Sequence, residues 1–370
     1  MKNRYSKLLR TAALILTIVI SLPLLVSCAD RGDVVVKVGN VTVDEAMYSF
    51  FMSSYKRSFL NAYASAGASD TEAFWSTVRE DGMTMEEYFN GIALENVKKY
   101  AAAAWMFDYM DRQFTSNMKK RVNDNIDDII ANEFDGDKNA FKEHLDELGI
   151  NRNVLYDVYV LDEKQDYMYE YLYGLSGVIE VPDSDKLTYV RENYSHIEHI
   201  YINNVYKYET DENGDYVYDE DGYGIEIPLS DEEIAEANDK IRAVEDGIEN
   251  GEDFHDLWIE YSEDHLYYDG YYLLPTTPYI KEIVNTSFEI EIGEIKKIET
   301  GNGVHFIKRL PIEGTPWSYD ANDDFFDGFE DTLRAYLFAV MVGEYAADAV
   351  INDEAAARHS IKNAVISPYI

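Results

Sequence analysis

The chain of 370 residues has a single cysteine, Cys28, so it cannot form an internal disulfide. Basic residues are also scarce: 32 lysines and arginines stand against 71 aspartates and glutamates, which gives a formal net charge of −39. A chain this acidic repels nucleic acids and anionic lipid surfaces, so no nucleic-acid partner is expected. Because 46% of the residues are hydrophobic and 14% aromatic, the chain can still bury a core, and disorder is not expected.

Long apolar runs are also scarce, and the run that bears on where the protein is located lies near the N-terminus. Four cations precede an apolar stretch over residues 12–26, which contains Pro23. The stretch is shorter than the roughly 20 residues that a membrane-spanning helix needs. A charged segment, an apolar segment and then small residues predict an export signal over residues 1–27.

The end of this segment, Leu25-Val26-Ser27-Cys28, resembles the lipobox of bacterial lipoproteins. In that motif the cysteine is lipidated and becomes the first residue of the mature chain. We therefore expect a lipid anchor at Cys28, a short tether over residues 28–33, and a place in the bacterial cell envelope facing outside the cytoplasm. The alternative is a simple signal peptide with an incidental cysteine.

Proline is rare and unevenly distributed. Six of the eight prolines lie between Pro182 and Pro316, and none occurs in residues 24–181. The proline-free part, residues 34–181, is predicted to open with two short strands and to continue as a mainly helical region. Ser69 and Thr84 each precede a glutamate by three positions, which is typical of a helix capping box.

Residues 182–315 are predicted to mix strands and helices. Asn213-Gly214 indicates a tight hairpin between tyrosine-rich strands, and the aspartates around it suggest a calcium loop. An EF-hand starting at Asp211 would need glycine where Tyr216 stands and glutamate where Gly222 stands, so we expect a solvated hairpin instead. Residues 287–310 are predicted to form a loop, a strand, a turn and a strand.

The last segment, residues 316–370, is predicted to be a long helix from about Ser318 with a short apolar tail that could pair as a strand. We expect it to pack back on the N-terminal region. The fold class expected for the whole chain is α+β: a mainly helical domain built from both ends, with a smaller domain inserted that has an antiparallel sheet flanked by helices.

The middle region resembles a parvulin domain in the order and spacing of its motifs over about 115 residues. These motifs are a strand with His199-Ile200, a long helix, GEDF at 251–254, Tyr261-Ser262, Ser287-Phe288, Gly293-Glu294 and GVHFIK at 303–308. The flanking regions are similar to the PrsA/SurA type of secretion foldase, in which both ends of the chain form a chaperone domain. The resemblance implies peptidyl-prolyl cis–trans isomerase activity on unfolded exported polypeptides, without a cofactor or metal, and a possible homodimer.

Parvulins place two sheet histidines beneath an acid or cysteine at the floor of the proline pocket. The resemblance assigns the histidine positions to His199 and His305, and the acid position to Asp264. The substrate-binding positions implied in the same way are Tyr272, either Tyr279 or Ile280, Ile283, Phe288, and either Thr300 or Asn302. Several of these side chains differ from those usual in parvulins, so the pocket is expected to be apolar but to have another shape.

Three functions remain open from the sequence. The first is an exported isomerase that assists folding, and the second is a binding-only chaperone whose parvulin-like domain docks peptides. The third is a solute- or surface-binding lipoprotein with an accidental match. His199 and His305 also fit ordinary hydrogen-bonded sheet histidines, and Asp264 fits a surface carboxylate at a helix end. Convergence of these three side chains in the fold tests the third possibility, because without it the parvulin assignment of the site is wrong. The first two divide on the pocket: the histidines and the acid favour catalysis, and the changed apolar residues favour docking.

The remaining histidines are not expected to bind a metal. His196 and His199 are three positions apart on a predicted strand, so they point to opposite faces and make a poor metal pair. His255 and His265 are expected to face solvent.

Overall fold

The computed structural model describes residues 31–219 and 221–366. The predicted export signal, Cys28 and the last four residues of the tail lie outside the described residues. The helices are α1 (Glu45–Ala62), α2 (Glu72–Trp75), α3 (Met85–Tyr109), α4 (Ser116–Glu133), α5 (Lys138–Glu147), α6 (Arg152–Tyr173), α7 (Asp183–Asn193), α8 (Asp231–Asn250), α9 (Phe254–Tyr261), α10 (Lys281–Glu289), α11 (Asp323–Phe326), α12 (Phe329–Ala346) and α13 (Asp353–Ala356). The strands are β1 (Val34–Val38), β2 (Val41–Asp44), β3 (Ser195–Ile202), β4 (Tyr206–Tyr208), β5 (Glu226–Pro228), β6 (Tyr271–Leu273), β7 (Ile295–Thr300), β8 (Gly303–Leu310) and β9 (Val350–Ile351). The predicted α+β class is confirmed.

The chain divides into two compact units. The first comprises residues 31–168 and 342–366, and the second comprises residues 169–341. The second unit is larger than the inserted domain expected from the sequence, because residues 169–181 and 316–341 also belong to it. Each unit has a sheet of its own, and the second unit also has an antiparallel hairpin in which β4 pairs with β5.

The first unit is mainly helical around a three-stranded antiparallel sheet in the order β2-β1-β9. Helix α3 begins with the predicted capping box, in which Thr84 and Glu87 satisfy each other's backbone amides. The box predicted at Ser69 is wrong: Thr71 caps α2 by accepting from the Phe74 amide. Ser69 lies too early because the helix starts only at Glu72.

The C-terminal segment closes the first unit through a strand and a buried lysine. The strand is Val350–Ile351, in which Ile351 pairs with Val36, and it lies upstream of the tail where we expected one. Lys56 of α1 is only 3% exposed, and its ammonium group donates to the carbonyls of Lys362 and Ala364 at 2.8 and 3.0 Å. These contacts tie the end of the described chain to the first helix.

The second unit contains a four-stranded antiparallel sheet in the order β6-β3-β8-β7. Successive residues of a strand point to opposite faces, so β3 contributes to two separate cores. Ile200 and Ile202 pack with α8 and α9 on one face. Ile197 packs with Ile283 and Val284 of α10 on the other.

Two elements of the second unit differ from the sequence prediction. Ser287 and Phe288, expected in a loop, lie in helix α10. The single long C-terminal helix is interrupted, because Gly328 adopts a φ of +65° between α11 and α12. Among the described residues, no helix combines the length and the apolar character needed to cross a membrane.

Candidate functional site

The two predicted histidines meet on one face of the sheet. In the pairing of β3 with β8, His199 stands opposite Ile307 and His305 stands opposite Tyr201, so the histidines are diagonal neighbours. His199 Nε2 lies 2.9 Å from His305 Nδ1. Both side chains are buried, with 2% and 1% of their surface exposed.

Asp264 extends this pair at one end and Thr300 at the other. Asp264 Oδ2 lies 3.1 Å from His199 Nδ1, and Thr300 Oγ1 lies 2.9 Å from His305 Nε2. Thr300 lies diagonally from His305 on β7, where Ile298 is the direct partner of His305. The four side chains thus form one continuous hydrogen-bonded row across three strands and a loop.

The loop that carries Asp264 is fastened to the end of β3. The Ser262 hydroxyl accepts from the amides of Tyr201 and Asp264 at 3.2 and 3.1 Å. The Glu263 amide donates to the Tyr201 carbonyl at 2.7 Å, and the Trp258 indole donates to the Asp264 carbonyl at 2.9 Å. The position of the carboxylate is therefore set by backbone contacts around it, not by its own side chain alone.

Gly270 lets the same loop pass close to β3. It has a φ of +87°, and a Cβ atom added there would lie 2.4 Å from the carbonyl oxygen of Ile197. No side chain fits at that distance, so only glycine allows this approach. The close passage brings the next residue, Tyr271, opposite Ile197 and onto the histidine face.

Asp264 is ionised in this setting. Its carboxylate accepts from the Tyr271 hydroxyl at 2.5 Å and from the Leu266 amide at 3.2 Å, besides His199. Burial alone would raise the pKa of Asp264, but the hydrogen bonds from His199 and Tyr271 outweigh it and lower that pKa to about 2. The site therefore holds a half-buried negative charge at neutral pH.

His305 is neutral at neutral pH. Burial, followed by the neighbouring His199, lowers the pKa of His305 to about 4. An ionised Asp264 can only accept, so His199 Nδ1 carries the proton between them. When His199 is neutral as well, His305 Nδ1 donates to His199 and Thr300 donates to His305, so every proton in the row points towards Asp264.

An open cavity of about 340 Å³ lies over this row. Its lining residues are His199, Tyr201, Tyr206, Glu263, Asp264, Tyr279, Ile280, Asn302 and His305. Other cavities in the second unit are larger, including one of about 520 Å³ beside Lys186 and Glu330, but they do not reach the histidines. Volume alone does not single out the site; the buried charged row does.

The structure brings His199, Asp264 and His305 together. Of the seven predicted substrate-binding residues, it places some at the cavity and others away from it. Tyr279, Ile280 and Asn302 line the cavity, while Thr300 ends the row. Ile283 is fully buried and Phe288 half-buried in the apolar cluster on this face, so neither lines the cavity. Their predicted contact with substrate is not supported by their positions.

Tyr272 is a correction. It pairs with His196, its ring stacks on that imidazole at 4.1 Å, and it packs with Tyr194 and Phe326. These residues lie on the face of the sheet opposite to His199. The physical reason is the two-residue period of β6, which turns the adjacent Tyr271 to the site instead.

Two tyrosines of the site were missed by the sequence interpretation. Tyr271 binds Asp264, and the Tyr201 ring stacks on His305 with centroids 4.9 Å apart. Tyr201 could have been found, since it is two positions after His199 on the same strand face.

His255, expected to face solvent, instead contacts the buried carboxylate of Glu198 at 2.5 Å.

Comparisons with known proteins find a similarity to solved PrsA structures. The peptidyl-prolyl isomerase PrsA of Bacillus cereus matches with 15% identity over 76% of this chain and 94% of that one, at a TM-score of 0.28. PrsA of Bacillus subtilis matches with 18% identity over 80% of this chain and 94% of that one, at a TM-score of 0.23. The foldase protein PrsA of Streptococcus pneumoniae matches with 14% identity over 76% of this chain and 95% of that one, at a TM-score of 0.22. The predicted resemblance to PrsA is confirmed as this similarity. No protein-family model matches the chain, and no curated protein does.

At such identities and TM-scores, activity has to be judged from the residues of this chain. They provide a hydrogen-bonded histidine pair, an ionised acid held by three donors, and an open cavity with tyrosine hydroxyls. Within residues 31–219 and 221–366, no cluster of histidine and carboxylate side chains is arranged to hold a metal ion.

The low pKa of His305 predicts an acid-dependent loss of stability. The unfolded histidine takes up its proton near pH 6.5 and the folded one only near pH 4, so the stability present above pH 6.5 is lost as the pH falls towards 4. We expect this residue to account for about 3 kcal/mol of the loss in unfolding free energy between pH 7 and 4. Urea unfolding of wild type and His305→Gln over this range measures it, and parallel pH curves for the two proteins would contradict the prediction.

The Tyr271 hydroxyl predicts a change in the acidity of Asp264. Removing one donor from the carboxylate in Tyr271→Phe should raise the pKa of Asp264 from about 2 by about one pH unit. Tyr272→Phe is the matched control, because the adjacent hydroxyl lies on the other face of the sheet. NMR titration of the Asp264 carboxyl carbon gives both values, and equal pKa values in the two variants would rule out the assigned hydrogen bond.

Proposed function

We propose that this protein is an extracytoplasmic peptidyl-prolyl cis–trans isomerase that acts as a foldase on exported polypeptides. The observation that carries the proposal is the hydrogen-bonded row of Asp264, His199, His305 and Thr300 beneath an open cavity. The row places one fixed negative charge at the cavity floor, where hydrogen-bond donors surround it.

Such a site suits a reaction that needs no nucleophile. An X–Pro bond isomerises slowly because amide resonance must be lost in the twisted state, with a barrier of about 18–20 kcal/mol. A catalyst only has to bind the twisted amide better than the planar one. The side chains that line the cavity supply charge and hydroxyl groups but no activated serine or cysteine, in keeping with this chemistry.

The charge and the hydroxyls can each favour the twisted amide. In the planar amide, resonance puts negative charge on the carbonyl oxygen, and a nearby Asp264 carboxylate opposes that charge. In the twisted amide the proline nitrogen regains a lone pair, to which a hydroxyl such as that of Tyr279 can donate. Tyr279 lies on the cavity wall, with its hydroxyl 3.5 Å from His199 Nδ1.

The place of action follows from the N-terminal sequence. An export signal over residues 1–27 and a lipidated Cys28 would hold the mature protein on the outer side of a membrane, where exported chains fold. The helical first unit would contribute a surface for client polypeptides, and the isomerase site lies in the second unit.

A binding-only chaperone is the second candidate, and the cavity lining favours it. Ile280 is the only aliphatic residue among those lining the cavity, since Ile283 and Phe288 are turned into the core. A proline ring would therefore be held mainly by tyrosine faces, which bury area and keep a polar group. Such a pocket could bind proline segments while accelerating their isomerisation only weakly.

A proline-isomerisation assay on the purified protein separates the two candidates. We expect acceleration of a short proline peptide, and a loss of at least ~10-fold in kcat/KM in Asp264→Ala and in His199→Ala. The matched control is Glu198→Gln, which disturbs a second buried acid–histidine contact on the opposite face of the same sheet. It tests whether any change at a buried acid–histidine contact lowers the rate.

Equal losses in all three variants would show general destabilisation and contradict the proposed roles. Absence of acceleration by the wild type, with aggregation of an unfolded client still suppressed, would establish the binding-only chaperone.

A further inference from the structure

A second cavity of about 470 Å³ adjoins the candidate site. The two cavities share Tyr206 and Glu263 in their walls, so one open surface leads from the histidines to the β4–β5 hairpin. The outer cavity is lined on one side by the hairpin and on the other by the first turns of α8. We call it the hairpin groove; its lining residues are Asn203, Tyr206, Lys207, Tyr208, Tyr216, Leu229, Glu233, Glu236, Ala237, Lys240 and Glu263.

A row of tyrosine rings follows this groove outwards. The Tyr206 and Tyr208 ring centroids are 5.7 Å apart, and those of Tyr208 and Tyr216 are 5.8 Å apart. Each step corresponds to nearly two residues of an extended peptide, at about 3.3 Å per residue. Tyr208 and Tyr216 are 43% and 59% exposed, so both side chains are accessible to a bound chain.

Two aspartate carboxylates fix the conformation of the turns in the hairpin. Asp211 Oδ1 accepts from the amides of Asn213 and Asp215 at 2.8 and 3.0 Å. Asp219 Oδ1 accepts in the same way from the amides of Asp221 and Tyr223, at 3.0 and 2.8 Å. The repeated turn keeps the tyrosines of the hairpin in place.

The hairpin that forms one wall of the groove is strongly acidic. Residues 206–228 contain eight aspartates and glutamates but only one lysine. That lysine, Lys207, is paired with Glu233 at 2.5 Å, and Lys240 is paired with Glu263 at 2.8 Å. Both lysines that line the groove are thus paired with lining carboxylates. Glu236 of the lining is exposed, and so is Glu226, which stands opposite Tyr208 in the pairing of β4 with β5.

We propose that the hairpin groove binds the residues next to the proline of an extended client segment and selects segments that carry lysine or arginine there. The inference rests on the proposed function, since the groove is continuous with the proposed proline site. Cationic side chains complement the carboxylates, and their long aliphatic stems and guanidinium planes pack on tyrosine rings. An acidic segment would be repelled by the same wall.

The test uses three peptides around one proline, whose neighbouring residues are arginine, glutamine or glutamate. The purified protein should isomerise the arginine peptide about 10-fold more efficiently than the glutamate peptide at low salt. The preference should shrink at about 0.5 M salt, where exposed charges are screened. In Glu226→Gln/Glu236→Gln the ratio should fall towards one.

The matched control is Glu249→Gln/Glu289→Gln, which removes the same charge from exposed positions outside both cavities. The control should keep the wild-type ratio; if it loses the ratio equally, the preference comes from the overall charge and the groove is not the cause. Equal acceleration of all three peptides would contradict the proposed selectivity of the groove but would still support the proposed isomerase activity. If no peptide is isomerised faster, but the arginine peptide binds more tightly and only the groove variant loses this preference, the proposed selectivity of the groove is supported and the proposed isomerase activity is contradicted.

Discussion

The contact between the Asp264 carboxylate and His199 Nδ1 is the interaction on which the rest of the site depends. An ionised acid can only accept hydrogen bonds, so it sets the proton on the nearer nitrogen of His199. The half-buried charge persists because Tyr271 and a backbone amide also donate to it. Without Asp264, two buried imidazoles would lack a fixed direction for their protons.

The fold positions the side chains that make the contact between Asp264 and His199. Diagonal positions on three neighbouring strands place His199, His305 and Thr300 in reach of one another. Asp264 comes from a loop, and the loop is tied to β3 by the Ser262 hydroxyl and by backbone bonds. The histidines lie on the two central strands of the sheet and the acid lies on a fastened loop, an arrangement that suits electrostatic preorganisation.

The sequence could predict the members of the row but not all of their surroundings. His199, Asp264 and His305 follow from the resemblance to parvulins, which also indicates Thr300 or Asn302 at the same site. The resemblance indicates Tyr272 and not Tyr271 because motif comparison counts positions, whereas the facing residue depends on strand register. That register is set by the pairing of Ile197 with Tyr271 and by the close passage at Gly270, which are tertiary contacts. The interruption at Gly328 is likewise a backbone conformation that an apolar helical pattern does not reveal.

The central claim is that the charge of Asp264, and not only its hydrogen bonds, acts on the proline amide. Asp264→Asn keeps the size and the ability to accept a hydrogen bond but removes the charge, so kcat/KM for a proline peptide is the direct measurement. The account predicts a fall of about 10-fold or more with the fold intact. An unchanged rate in Asp264→Asn would contradict it and would leave only the hydrogen bonds of Asp264, and not its charge, as a contribution to the reaction.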